Sequence, residues 1–396
     1  NWRTKFARNW GRLGMKSKLK NICDFINEKI SANELINNNL ASTYVSTESM
    51  LPNKRGITKP SSIPSKGTTT AYKKDDVLLS NIRPYFKKIW SANYDGVCSN
   101  DVLVFRAKNT ADANFLYYVL ANDDFFVYSM ATSKGTKMPR GDKASIMKYE
   151  VESFDLNTQR KIASILKPID KKIELNNAIN NNLEQQAKAI FSNEFLTLET
   201  LPDGWKQASL IDIADYLNGL AMQKYRPTAD ETGIPVLKIK ELRQGCCDDN
   251  SELCSPSIKS EYIIHDGDVI FSWSGSLIVD FWCGGICGLN QHLFKVTSNK
   301  YNKWFYYAWT KHHLDRFIAV AADKATTMGH IKRDELSKAE VLIPNEADYK
   351  RIETLLQPIF DLIITNRIEN KKLAETRDAL LSLIHISEPT RQEAIS

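Results

Sequence analysis

One run of coiled-coil heptads occurs twice in this chain, a fixed distance apart. Ile162, Leu166, Ile169, Ile173, Asn176, Asn180, Leu183, Ala187 and Ile190 fall at alternating steps of four and three, the spacing of a helical seam. Shifted by 190 positions, Ile352, Leu356, Ile359, Ile363, Asn366, Asn370, Leu373, Arg377 and Leu380 repeat it asparagine for asparagine, with Arg377 the one clear departure. A chain that encodes the same long amphipathic helix twice is a duplicated protein. Each helix should be roughly 50 Å long at 1.5 Å per residue, and its seam needs a partner. The expected partner is its own duplicate, paired antiparallel so that the chain returns to its start. Docking of each helix on its own globular region is the competing arrangement. The seam asparagines would set register at some cost in stability. Pro168 and its repeat Pro358 should kink or interrupt the first turns, since an interior proline costs about 3 kcal/mol.

The repeat extends beyond the helices. Tyr117-Tyr118 answers Tyr306-Tyr307, Asp76-Val77-Leu78-Leu79-Ser80 answers Asp268-Val269-Ile270-Phe271-Ser272, and Lys148, Glu150 and Val151 answer Lys338, Glu340 and Val341. The expected organisation is a leader over 1–14, a globular domain over 15–155, a helix over 156–199, a second domain over 200–345, a second helix over 346–383, and a tail over 384–396. Leader and tail lie outside the repeat and are read as non-native, with native disordered tails as the alternative. Short β-branched runs predict strands at 76–80, 101–105, 236–239, 268–272 and 292–296. Helices are expected over 114–128 and 302–320, and a Ser/Thr/Pro-rich loop over 42–70. Strands and helices without βαβ regularity make each domain α+β.

The net charge of +6 is weak evidence for a nucleic-acid partner, because Arg3, Lys5, Arg8 and Arg12 supply four of those charges from the leader. DNA affinity would have to come from local placement of basic groups. No apolar run is long enough for a membrane span. Seven cysteines without framework spacing suit a reducing cytoplasm. A zinc site from Cys246, Cys254, Cys283 and Cys287 is disfavoured because tight C-x2-C knuckles are missing. Phosphate-cradling glycine loops, an H-E-x-x-H helix and a nucleophile elbow are also missing. No catalytic constellation, metal site or cofactor is expected, and the chain reads as a recognition or scaffold protein.

The candidate recognition residues lie on loops that correspond between the repeats. In the first domain they are Arg83, Tyr85, Lys87 and Lys88, after the 76–80 strand, and Lys134, Thr136, Lys137 and Arg140. In the second they are Trp273, Ser274 and Ser276, then Gln291, and Lys324, Thr326, Thr327, His330 and Lys332. Lys and Arg suit phosphate contact, while Arg, Gln, Thr and His suit base edges. Taken singly, each is an ordinary solvated surface residue. Their recurrence on matching loops favours recognition.

Three segments carry a resemblance to the specificity subunits of type I restriction–modification systems: Gly267 to Ser276, Thr132 to Arg140 running into Asp155 to Ile162, and Leu373 to Leu381. Trp273 stands where that family often has arginine. The resemblance implies a non-catalytic subunit with two target recognition domains, each reading one half of a bipartite, asymmetric site in double-stranded DNA. It implies paired helices that space the half-sites and dock two methyltransferase subunits, with restriction/translocase subunits joining the complex. A helix of about 50 Å matches roughly 15 base pairs at 3.4 Å each. The alternative is a duplicated coiled-coil assembly scaffold whose domains bind protein. Loops that diverge on a common framework favour DNA reading. An autonomous nuclease is disfavoured for want of a clustered acid–lysine site.

Overall fold

The structure is a computed structural model that describes residues 16–37, 40–135, 137–248, 250–323 and 333–384. The chain divides into two compact units, one formed by residues up to 171 together with those from 374 onward, the other by 172–373. Each unit therefore holds one globular domain and a part of both long helices.

The first unit is built on a four-stranded antiparallel sheet ordered Cys23–Ile26, Val102–Ala107, Val77–Ser80, Ile89–Ser91. Val77–Ser80 is buried along its whole length, which explains its unbroken apolar run. A second sheet runs Lys29–Ser31, Thr68–Tyr72, Gly96–Cys98, Tyr44–Val45, its last pair parallel. A ribbon joins Lys16–Lys18 to Glu150–Glu152. The helix expected over 114–128 is two helices, Ala113–Ala121 and Asp123–Ala131. Asn122 separates them: its backbone is extended and its side chain accepts from the Asp124 amide as an N-cap.

The second unit repeats this plan. Its main sheet is ordered Asp215–Asn218, Leu293–Thr297, Val269–Ser272, Ile278–Phe281, and its ribbon joins Lys206–Ser209 to Glu340–Ile343. The helix expected over 302–320 is again two, Lys303–His312 and Leu314–Asp323. A half-buried ion pair recurs as well: Arg106 clamps Asp76 through two bonds of 2.7 and 2.6 Å, and Lys295 meets Asp268 at 2.9 Å. The second sheets differ at their edges. The outermost strand Lys29–Ser31 joins the antiparallel neighbour of the central strand, whereas Leu253–Cys254 joins the parallel neighbour.

The long helices span Leu156–Phe191 and Glu346–Ile384. They run antiparallel. In the second unit the Asn366 amide donates to Asn180 Oδ1 at 2.9 Å, Asn176 donates to Asn370 Oδ1 at 2.9 Å, and Arg367 meets Glu184 at 2.8 Å. The seam also docks on the domains. Ile162, Leu166 and Leu380 pack with Phe115 and Leu116 of the first core; Leu183, Ile190, Ile352, Leu356, Ile359 and Ile363 pack with Trp304 and Phe305 of the second. Pairing and local docking, posed as alternatives from sequence, are thus both satisfied by one stripe. Neither helix is interrupted at its proline. A proline removes one intrahelical bond, and here the buried seam on either side carries the helix through.

Candidate nucleic-acid interface

In the first unit the two predicted basic loops are joined. The hairpin loop 81–88 lies beside 134–141: Ile82 bridges Arg140, the Arg83 amide donates to the Pro139 carbonyl at 2.8 Å, and Lys134 and Arg140 exchange backbone bonds of 2.9 Å. Arg83 and Lys87 flank the turn Pro84–Phe86 with φ of 51° each, a left-handed conformation that bulky residues adopt at a cost. That turn sets Tyr85 48% and Phe86 37% exposed, large apolar faces that a stacking or groove-edge contact would use.

The basic groups are already placed by carboxylates and carbonyls. Lys134 meets Asp142 at 2.7 Å, Arg140 meets Asp101 at 3.2 Å, and Lys87 meets Asp123 at 2.9 Å. Lys88 donates to the Thr47 carbonyl at 2.6 Å, and burial lowers its pKa. The Lys134 ammonium, helped by the Ser145 amide, holds the Asp142 carboxyl down at about 2. Exposed pairs of this kind are worth about 0–1 kcal/mol, so Lys134 and Arg140 can exchange a carboxylate for a phosphate at small cost. Lys137 is exposed. An open groove of about 820 Å³ runs past Asn81, Lys134, Arg140 and Lys143. Asn81 Oδ1, in the groove lining, is buried without a partner, and an unpaired buried polar atom marks a position where a ligand group could complete the bonding.

The corresponding loop of the second unit, 273–277, is shorter and organised differently. Trp273 donates from Nε1 to Asn218 Oδ1 at 3.0 Å and its ring lies against His292 and Phe294, so it is seated on the sheet. Ser274 is buried, and the Ser272 hydroxyl donates to the carbonyls of Ser274 and Ser276 at 3.2 and 2.9 Å. Arg243 donates to the Ser276 hydroxyl at 3.4 Å. The Gln291 backbone N–H donates to the Leu220 carbonyl at 2.8 Å. Gly219 permits that approach, since a Cβ there would lie 2.2 Å from the Asn290 carbonyl oxygen.

Sequence reading did not single out Asn81, Asn218 or Arg243. Nothing periodic marks them: Asn218 ends a strand and Arg243 lies on the helix Ile239–Gln244, and each reaches the loop 273–277 through a side-chain hydrogen bond. Thr136, Lys324, Thr326, Thr327, His330 and Lys332 lie outside the described residues. Among the described residues no group of three or more His, Cys, Asp or Glu side chains could hold a metal ion, and no helix is long and apolar enough to cross a membrane.

Residues 14–185 and 202–375 each match the type I restriction modification DNA specificity domain. The chain belongs to that family. It is similar to the type I restriction enzyme MjaIX specificity subunit of Methanocaldococcus jannaschii, with 25% identity over 302 residues covering 69% of this chain and 68% of that protein. It is also similar to the HindI specificity subunit of Haemophilus influenzae, with 21% identity over 393 residues covering 78% of this chain and 86% of that one. Among solved structures, the S subunit of a type I restriction–modification system from M. genitalium aligns over 96% of this chain and 98% of that one, with a TM-score of 0.56 and 13% identity. At that identity the likeness is one of fold.

Proposed function

We propose that this chain is the DNA sequence-recognition subunit of a type I restriction–modification complex, without catalytic residues of its own. Each globular domain reads one half of a bipartite, asymmetric duplex site. The paired helices, 36 and 39 residues long and so about 54 and 58 Å at 1.5 Å per residue, space the half-sites. They also dock two methyltransferase subunits, which restriction/translocase subunits join. The complex works in the cytoplasm, a reading in keeping with seven free cysteines.

The observation that carries this is like framework with unlike loops. Both main sheets share one strand order and one half-buried ion pair. Yet loop 81–88 presents Tyr85, Phe86 and a groove lined by Lys134 and Arg140, while 273–277 presents a seated Trp273 and Ser276 beside Arg243. A scaffold for two identical partners would keep these loops alike; a reader of two different half-sites must not.

Modified-base sequencing of DNA from cells with and without this gene, its methyltransferase partner present, tests the reading. A methylated motif of two short half-sites with a fixed gap, appearing only with the gene, is expected. Modification that is identical in the two cells would overturn it in favour of the scaffold.

A further inference from the structure

A pairing rule is built into the helix seam where the two repeats depart from one another. Along the seam the repeats match almost residue for residue, and the asparagines match outright, so none of those positions distinguishes one helix from the other. The departure is Ala187 against Arg377. In the first unit Arg377 is buried and pairs with Asp170 at 2.9 Å. Asp170 also accepts the Tyr118 hydroxyl at 2.9 Å. In the second unit the residue that repeats Asp170 is Phe360, buried in one core with Ala187. Tyr307, the repeat of Tyr118, meets Phe360 with its ring at 5.2 Å. One dock is therefore charged and the other apolar, and in each the change on one helix is answered by a change on the other.

We infer that Asp170 with Arg377 and Phe360 with Ala187 form a pairing rule that admits the first helix only against the second, keeping the two repeats of one chain on each other rather than on a second copy of this chain. The repeats are alike enough for like-with-like pairing between copies to be the natural competitor. At the same antiparallel register, two first helices would set Asp170 opposite Ala187, and two second helices would set Phe360 opposite Arg377. The first arrangement leaves Asp170 without its arginine, and the second leaves Arg377 with only its own neighbour Asp378, at 3.0 Å, in place of two carboxylates. Replacing one member of such a pair disfavours the assembly on the order of 100-fold or more. The Arg367–Glu184 pair acts in the same sense at the rim, since the positions that repeat these residues are Asn177 and Ala374.

The rule is independent of what the domains bind, and its test involves no DNA. The full chain and its D170F/R377A variant, which makes both docks apolar, are compared by light scattering across a 100-fold range of concentration, with a charge-reversed D170R/R377D variant as control. The parent and the charge-reversed variant are expected to stay monomeric. D170F/R377A is expected to melt at or above the parent temperature, yet to populate dimers at concentrations at least 10-fold below any at which the parent does. A folded D170F/R377A variant that stays as monomeric as the parent overturns the rule, and so does a parent already dimeric at the lowest concentration. If D170F/R377A fails to fold, the single variant R377A carries the test. It is expected to melt well below the parent, and an unchanged melting temperature overturns the rule.

Discussion

Replacing Asn366 with isoleucine isolates the polar part of the seam. Asn366 and Asn180 are 7% and 5% exposed, and their amides meet at 2.9 Å. Asn366→Ile alone strands Asn180 Oδ1 in the seam, a desolvated acceptor costing about 1–3 kcal/mol. Asn180→Ile alone strands the Asn366 amide at similar cost. The double variant removes both amides and buries two isoleucines, each worth roughly 1.5–3 kcal/mol less any overpacking. It should match or exceed the parent. The expected non-additivity is therefore about 2 kcal/mol, or roughly 4–8 °C in melting temperature for a unit of this size. Both residues belong to the second unit, which also holds Trp205, Trp273, Trp282, Trp304 and Trp309, five of eight tryptophans. Intrinsic tryptophan fluorescence in a thermal melt thus reads mainly the unit being perturbed. A coupling under about 0.5 kcal/mol, the size ordinary for independent sites, would refute the shared contact. A stabilised double variant should also lose register discipline, because isoleucine pairs equally well one heptad away.

Further perturbations address the domains. Arg106→Ala leaves Asp76, 1% exposed, without its charged partner and should cost on the order of 3 kcal/mol in urea unfolding; an unchanged midpoint would remove the ion pair from the account. Arg140→Ala and Lys137→Ala should lower methylation by about 10- to 100-fold at motifs altered in one half-site only, with less than about 1 kcal/mol lost in stability; equal loss at every sequence would reduce both residues to phosphate contacts. Burial lowers the pKa values of His312 and His313 from 6.5. Below pH 6.5 the unfolded chain gains protons that the folded second unit refuses, so its stability is held above that pH and lost as pH falls. A melting temperature flat from pH 7 to 5 would contradict this. Burial pushes the Cys23 and Cys98 thiols up to about 12 and those of Cys254 and Cys283 up to about 11, while a hydrogen bond from the Cys287 thiol lowers Cys247. Iodoacetamide at pH 8 should therefore label Cys247 before those four, and mass spectrometry showing the reverse order would refute the assignment.

Period and burial made much of this fold legible in the sequence. A seam every three and four residues leaves its mark whatever it packs against, and strands buried on both faces, such as Val77–Ser80 and Val269–Ser272, read as unbroken apolar runs. The breaks at Asn122 and His313 leave little mark in the sequence, because apolar residues continue on both sides of them, although Asn122-Asp123-Asp124 is a capping signal. What could not be read was partnership. Arg377 registers in the sequence only as a seam residue of the wrong kind; its reason is Asp170, 207 positions away. Lys87, Lys88, Lys134 and Arg140 register as free cations, yet each is held by an oxygen that no local pattern predicts. The candidate site was thus legible as a set of loops but not as a geometry.

The two units also show how a framework keeps its fold while its surface loops change. Arg106–Asp76 and Lys295–Asp268 tie the central pairs of strands in the main sheets, and the hairpin loops leave the other side of those central strands, toward Ile89–Ser91 and Ile278–Phe281. A loop can lengthen from five residues to eight, or exchange a seated tryptophan for exposed Tyr85 and Phe86, without breaking a ladder bond of the strands that carry it. The strand that did move, from one flank of the second sheet to the other, is an outermost one, where a strand is held on one side only. Change has accumulated where the ladder allows it. On the proposed function, a protein that keeps one assembly while recognising different sequences would need its variability confined in that way.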